Sequence, residues 1–140
     1  MSIILFDANV LLDFFLERNP QPEKIERLFS LVDKRTVKGV VTISTIHICA
    51  YYLSPAKGIK VTKGVLEMII SKFQLLEGNK KTVLNALRSE HEDIEDAIQY
   101  FIALENEMDA IVTLDKAFIK LSSLNLPIYS PADLLRELGH

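Results

Sequence analysis

The sequence predicts an α/β fold, a three-layer α/β/α sandwich around a central parallel sheet of about five strands. Three observations predict it. Short apolar runs alternate with stretches of helical period along the chain. The runs are almost continuously apolar, as strands covered on both faces must be. No repeat, low-complexity tract or linker divides the 140 residues, so 1–140 reads as a single domain. A hydrophobic content of 49% and a mean hydropathy of +0.18 supply a substantial core. A chain of this size buries roughly two thirds of its unfolded surface.

The elements follow in order. Ile3–Phe6 is the first strand, and a helix begins at Ala8. Pro22–Lys34 is helical, with Ile25, Leu28, Phe29 and Val32 at i, i+3, i+4, i+7. Val40–Ile43 is the second strand, followed by helices over Thr45–Leu53 and Lys60–Lys72. Phe73–Leu76 is the third strand and Lys80–Arg88 a further helix. The long helix Glu92–Met108 is introduced by Ser89-x-x-Glu92, which fits a capping box, and Ile94, Ala97, Ile98, Phe101 and Leu104 form its expected buried stripe. Ala110–Thr113 is the fourth strand, "KAFIKL" a short helix and Ile128–Tyr129 the fifth strand. "SPADLLREL" closes the chain with Ser130 as cap and Pro131 at the first helical position.

Composition excludes several classes of protein. No run of about eighteen apolar residues exists to span a membrane. Asp7 and Asp13 interrupt the apolar N-terminus, and no basic segment precedes it, which argues against a signal peptide. The single Cys49 excludes an internal disulfide, fits a buried core position and points to a reducing cytoplasm. A net charge of −3 does not suit a protein that coats polyanions, but is compatible with a nucleic-acid enzyme whose acids surround a metal. Lys57, Lys60 and Lys63 surround one glycine turn and Lys80 and Lys81 follow another, as solvated surface or as a binding patch.

In parallel sheets the working residues gather at the carboxyl ends of strands. Asp7 ends the first strand, and Thr113, Leu114 and Asp115 end the fourth. The long helix opens "SEHEDIEDAIQYF", with Asp93 and Asp96 three apart at the margin of the stripe. Each acid has an ordinary explanation: Asp7 and Asp115 as helix caps, Asn9 and Asp13 as a solvated i, i+4 pair. If the first and fourth strands are neighbours, however, the carboxylates converge and repel one another unless a cation lies between them. Oxygen donors without a Cys or His cluster suit Mg²⁺ or Mn²⁺, and such a site activates water for phosphodiester hydrolysis.

The stretches "FDANVLLD" and "EDAIQYFIALENEMDAIVTLDKAF", with the spacing between them, resemble PIN-domain proteins, many of which are ribonuclease toxins of toxin–antitoxin pairs. The resemblance spans nearly the whole chain. It implies a Mg²⁺- or Mn²⁺-dependent endoribonuclease acting on RNA with a water nucleophile. It also implies a homodimer held by a small antitoxin. Position by position, Asp7, Asp96 and Asp115 match the family's metal-binding and catalytic acids, with Asp93 as an additional ligand. Asn9 and Thr113 match the polar groups that support them. No residue is assigned to RNA binding.

One departure stands out. Many members carry a glutamate on the helix after the second strand, where this chain reads "STIHICAYYLSP" with no acid. A branch of the family with a similar "ED-A-IQ" segment also lacks it, and Asp93 is expected to compensate. His47 is that helix's one imidazole, either a satisfied, partly buried side chain or a supporting site residue. The missing acid keeps an alternative open, a catalytically degenerate PIN-fold module that binds RNA or protein. A phosphotransfer domain is disfavoured because "PIYSPADLL" lacks the lysine such a domain needs after its last strand. By this reading only a cation makes the burial of Asp7 affordable.

Overall fold

A computed structural model describes residues 1–140. The elements run β1 (Ser2–Phe6), α1 (Ala8–Phe15), α2 (Pro22–Asp33), β2 (Val37–Thr42), α3 (Ile43–Lys57), α4 (Ile59–Lys72), β3 (Gln74–Leu76), α5 (Lys80–Arg88), α6 (Ile94–Glu105), β4 (Ala110–Val112), α7 (Lys116–Ile119), β5 (Ile128–Tyr129) and α8 (Pro131–Glu137). The five strands form one sheet in the order β3-β2-β1-β4-β5. Every pairing is parallel. The sandwich read from the sequence is therefore the observed fold, and β1 and β4 are neighbours, with Phe6 opposite Val112.

The apolar strands divide their side chains between the two faces with the period of two that a pleated strand imposes. Ile4, Phe6, Val37, Val41, Ala110 and Val112 enter one core with the buried faces of α1, α2, α3 and α8. Leu5, Val40, Ile111 and Ile128 enter the other, with Ala103 of α6 and Phe118 of α7. The first core contains an aromatic knot in which Phe6 meets Phe73 edge-on at 5.1 Å and Phe29 stacks on Phe14 at 4.3 Å. No helix is long and apolar enough to cross a membrane.

Three expectations shift. Strand β2 begins at Val37 rather than Val40, because Lys38 and Gly39 pair with β1 despite breaking the apolar run. Helix α3 runs on to Lys57 through Pro55 instead of stopping at Leu53. A proline this near the end removes one hydrogen bond, and the Gly58 amide still donates to the Ser54 carbonyl at 2.9 Å. Ser89 does not cap the long helix. It ends α5, its hydroxyl donating to the Ala86 carbonyl, and Asp93 caps α6.

Gly39 lies where β2 passes the aromatic knot. A Cβ there would stand 2.6 Å from two ring carbons of Phe73 and 3.2 Å from Val32. Phe73 is almost fully buried, so the ring has little room to retreat. Gly39→Ala is therefore expected to lower stability by about 1–3 kcal/mol. That exceeds the roughly 0.5–1 kcal/mol alanine regains over glycine in an extended backbone. The urea midpoint reads the loss, and Phe73→Leu in the same chain should restore part of it. A midpoint unchanged by Gly39→Ala would show that the knot is loosely packed.

Candidate active site

Asp7 follows the last residue of β1 and is 5% exposed. Its position is forced: the preceding apolar run must lie in the sheet, so the next side chain emerges at the buried carboxyl edge. Both oxygens are engaged. Oδ1 accepts from the Ala8 amide at 2.7 Å and from Gln99 Nε2 at 3.1 Å. Oδ2 accepts from Thr113 Oγ1 at 2.8 Å and from Asn9 Nδ2 at 3.2 Å. Four donors from α1, α6 and the end of β4 thus offset part of the desolvation of this carboxylate. Burial still outweighs them, so the hydrogen bonds alone do not balance the charge.

Of the supporting residues, Asn9 and Thr113 both reach Asp7. Asn9 Nδ2 also contacts Thr113 Oγ1 at 3.2 Å, and Asn9 Oδ1 accepts from the Leu114 amide at 3.1 Å. Thr113 is fully buried, and its hydroxyl oxygen accepts from the Asp115 amide at 3.0 Å. The turn after β4 is thereby fixed relative to Asp7. Asp115 and Asp93 each act as a helix cap, accepting at 2.9 Å from the Ala117 and Asp96 amides respectively. Each cap uses one oxygen of a carboxylate that has two, so capping leaves the second oxygen of Asp93 and of Asp115 without that task.

Asp7, Asp93, Asp96 and Asp115 line one cleft of about 450 Å³. A fifth carboxylate, Glu95, lines it as well and was not singled out by sequence. Its signal is its place between the two aspartates at the head of α6. Glu95 also borders a small adjoining hollow against Thr45 and Ile48 of α3. It therefore reaches towards the helix that carries no acid of its own. From α3 the cleft takes only Ile48 and Tyr52, and from the segment after α1 it takes Arg18. No set of three or more acidic, histidine or cysteine side chains is already arranged to grip an ion.

Two sequence expectations fail here. His47 is exposed and does not line the cleft, because Thr45, Cys49 and Leu53 take the buried side of α3 and turn residue 47 to solvent. The buried side of α6 is Asp96, Ala97, Gln99, Ile102 and Ala103, while Ile94 is 56% exposed. The apolar stripe misled because two polar residues, Asp96 and Gln99, belong inside, one facing the cleft and one bonded to Asp7. Gln99 Oε1 is buried without a partner.

Electrostatically the cleft is crowded. Burial, followed by the charges of Asp93, Asp7, Asp115 and Glu95, pushes the Asp96 carboxyl up to about 7. Burial raises Asp7 despite its hydrogen bonds. Glu95 is raised by burial first and then by Asp7 and Asp93. Burial and the charge of Asp7 push the Cys49 thiol up to about 12, leaving it an inert core residue.

Comparison with known proteins places this geometry in context. A family model described as PIN domain matches residues 3–117. In backbone the chain is similar to VapBC2 from Rickettsia felis bound to a DNA fragment from their promoter, with a TM-score of 0.69 at 15% identity over 92% of this chain and 98% of that one. It is similar to a toxin–antitoxin complex from Klebsiella pneumoniae at 0.67 and 18%, covering 91% and 97%. It also resembles PAE2754 from Pyrobaculum aerophilum at 0.65 and 17%, covering 99% and 97%. At such identities the likeness is one of fold. No curated protein matches in sequence.

The crowding has a measurable consequence. A carboxyl whose folded pKa is raised keeps a proton that the unfolded chain has released, so stability falls as pH rises through that interval. For Asp96 the window runs from its ordinary 3.8 up to about 7, and Asp7 and Glu95 act in the same direction. The cation-free protein should melt several degrees lower at about pH 8 than at about pH 5.5. Asp96→Asn should raise the melting temperature at the higher pH and flatten the profile. A profile that rises towards pH 8 would contradict the crowding.

Proposed function

The chain belongs to the PIN-domain family, and from that premise we propose that it is a metal-dependent endoribonuclease, the toxin member of a toxin–antitoxin pair. The observation that carries the proposal is the gathering of five carboxylates, from the end of β1, the head of α6 and the turn after β4, along one cleft. The donor set fits a hard divalent cation, Mg²⁺ or Mn²⁺, since every ionisable acid at the cleft is an oxygen donor and no thiol or imidazole lines it. When bound, such a cation supplies an activated water and neutralises charge developing on the phosphate.

The chain's own residues have separable tasks. Asp7, Asp96 and Asp115 are the proposed catalytic metal ligands, and Asp93 completes the set from the cap of α6. Glu95 takes the side of the cleft that α3 leaves without an acid. Thr113, Asn9 and Gln99 hold Asp7 in one orientation, as outer hydrogen-bond partners of a metal ligand do. A small antitoxin and a second copy of the chain are the proposed partners, on the strength of the family and of the toxin–antitoxin assemblies that share the fold.

A second reading has two observations in its favour. Helix α3 contributes no carboxylate and no ligand trio is preassembled, as in a PIN fold that binds RNA or protein without cutting it. Calorimetric titration separates the two. The nuclease reading expects saturable Mn²⁺ binding that is lost in Asp7→Asn and weakened about 10–100-fold by Asn9→Ala or Thr113→Val. It also expects cleavage of single-stranded RNA with Mn²⁺ or Mg²⁺ that falls to background in Asp7→Asn and Asp96→Asn. Absence of metal binding, or cleavage that survives both substitutions, would overturn it.

A further inference from the structure

We propose that the base next to the scissile phosphate of the RNA substrate stacks on Tyr52, with Arg18 taking a phosphate across the opening. The inference rests on the nuclease reading above and specifies how substrate is held. Tyr52 lines the acidic cleft yet is 51% exposed, so a face of its ring is available beside the carboxylates. Tyr51, 73% exposed, meets that ring edge-on at 5.1 Å and 87°. Of the two rings only Tyr52 lines the cleft, and an aromatic left this open beside it suits stacking with a base, since every base has a π-face to offer.

Arg18 is the one cation among the residues lining the cleft. Its place is built. Glu17 adopts a left-handed φ of 54°, and the Arg18 amide donates to the Asp13 carbonyl at 3.0 Å, folding the chain back at the end of α1. The Asp13 carboxylate then holds the guanidinium at 2.9 Å, with the Arg18 side chain still half exposed. One carboxylate occupies part of a five-donor fork, which leaves donors for a phosphate oxygen. A cleft of five carboxylates repels a polyanion, and this cation offsets that repulsion at the rim. Beyond the tyrosines α3 ends at Gly58, where Lys57, Lys60 and Lys63 are all exposed. Lys57 lies roughly 8 Å past Tyr52 along the helix axis, about one nucleotide further on.

The chain has no tryptophan, so Tyr52→Trp introduces a single indole at the platform. In an Asp115→Asn background, which keeps the strand intact, a short single-stranded oligoribonucleotide should quench that fluorescence saturably. The same strand annealed to its complement should quench little, because its bases are already stacked. Tyr52→Ala should weaken RNA binding about 5–100-fold while Tyr52→Phe stays close to wild type. Arg18→Ala should lower the salt dependence of binding by about 0.7 in slope. Mn²⁺ affinity in Tyr52→Ala should match wild type. An unquenched indole, equal quenching by duplex, or undiminished binding in Tyr52→Ala would overturn the platform while the nuclease reading stands. If the wild-type chain binds no RNA, both fall.

Discussion

The hydrogen-bonded carboxylate of Asp7 is the point on which the rest of the molecule is hung. A charge placed at the end of an apolar strand must be solvated by the protein, because water is excluded there. The solvation comes from Ala8 and Asn9 of α1, Gln99 of α6 and Thr113 at the end of β4. These donors come from both helical layers and the adjacent strand. Satisfying one ion therefore fixes how α1, α6 and β4 sit relative to β1. The Asp7 amide adds the last sheet bond, to the Val112 carbonyl at 3.0 Å. The same bonds set the other acids: Asp96 lies one turn before Gln99, and Asp115 is tied to Thr113 through its own amide.

Parallel topology explains how this edge accommodates so many acids in part without a cation. Each strand that ends here is followed by a helix that begins here, so positive helix ends converge with the carboxylates. Asp7, Asp93 and Asp115 are all caps. Capping stabilises the fold and takes one oxygen each of Asp93 and Asp115, whereas both oxygens of Asp7 are already hydrogen-bonded. Asp96 is different: it is buried inside the first turn of α6 with no cap to make, and it bears most of the mutual repulsion.

What the sequence revealed follows the same physics. Strand β1, helices α2 and α5, strand β5 and the cap of α8 were legible because local pattern and tertiary demand agree there. The start of β2 was not, because Lys38 and Gly39 join the sheet through backbone pairing that no apolar pattern announces. The phase of α6 was misread because its inner face carries Asp96 and Gln99, polar residues buried for the site rather than for packing. His47, read as either a partly buried side chain or a supporting residue, is turned to solvent by helical phase. Arg18 was invisible for a different reason. Its position depends on a left-handed turn at Glu17 and a pairing with Asp13, which no local pattern announces.

The absence of an acid from α3 then looks less like a loss than a reassignment. Glu95 borders both the cleft and the hollow beside Thr45 and Ile48, so α6 presents a carboxylate to the wall that α3 leaves apolar. Relieved of that carboxylate, α3 turns Tyr52 to the opening and keeps Cys49 in the core, where its thiol stays protonated beside Asp7. With the fifth acid on α6, three carboxylates fall within four residues, Asp93, Glu95 and Asp96, and the charges of the first two add to burial, the largest cause, in raising the Asp96 pKa. The charge of the cleft thus lies towards α6 and its exposed aromatic surface towards α3. A strand held as proposed would meet its phosphate and its base on different sides of a cleft so divided.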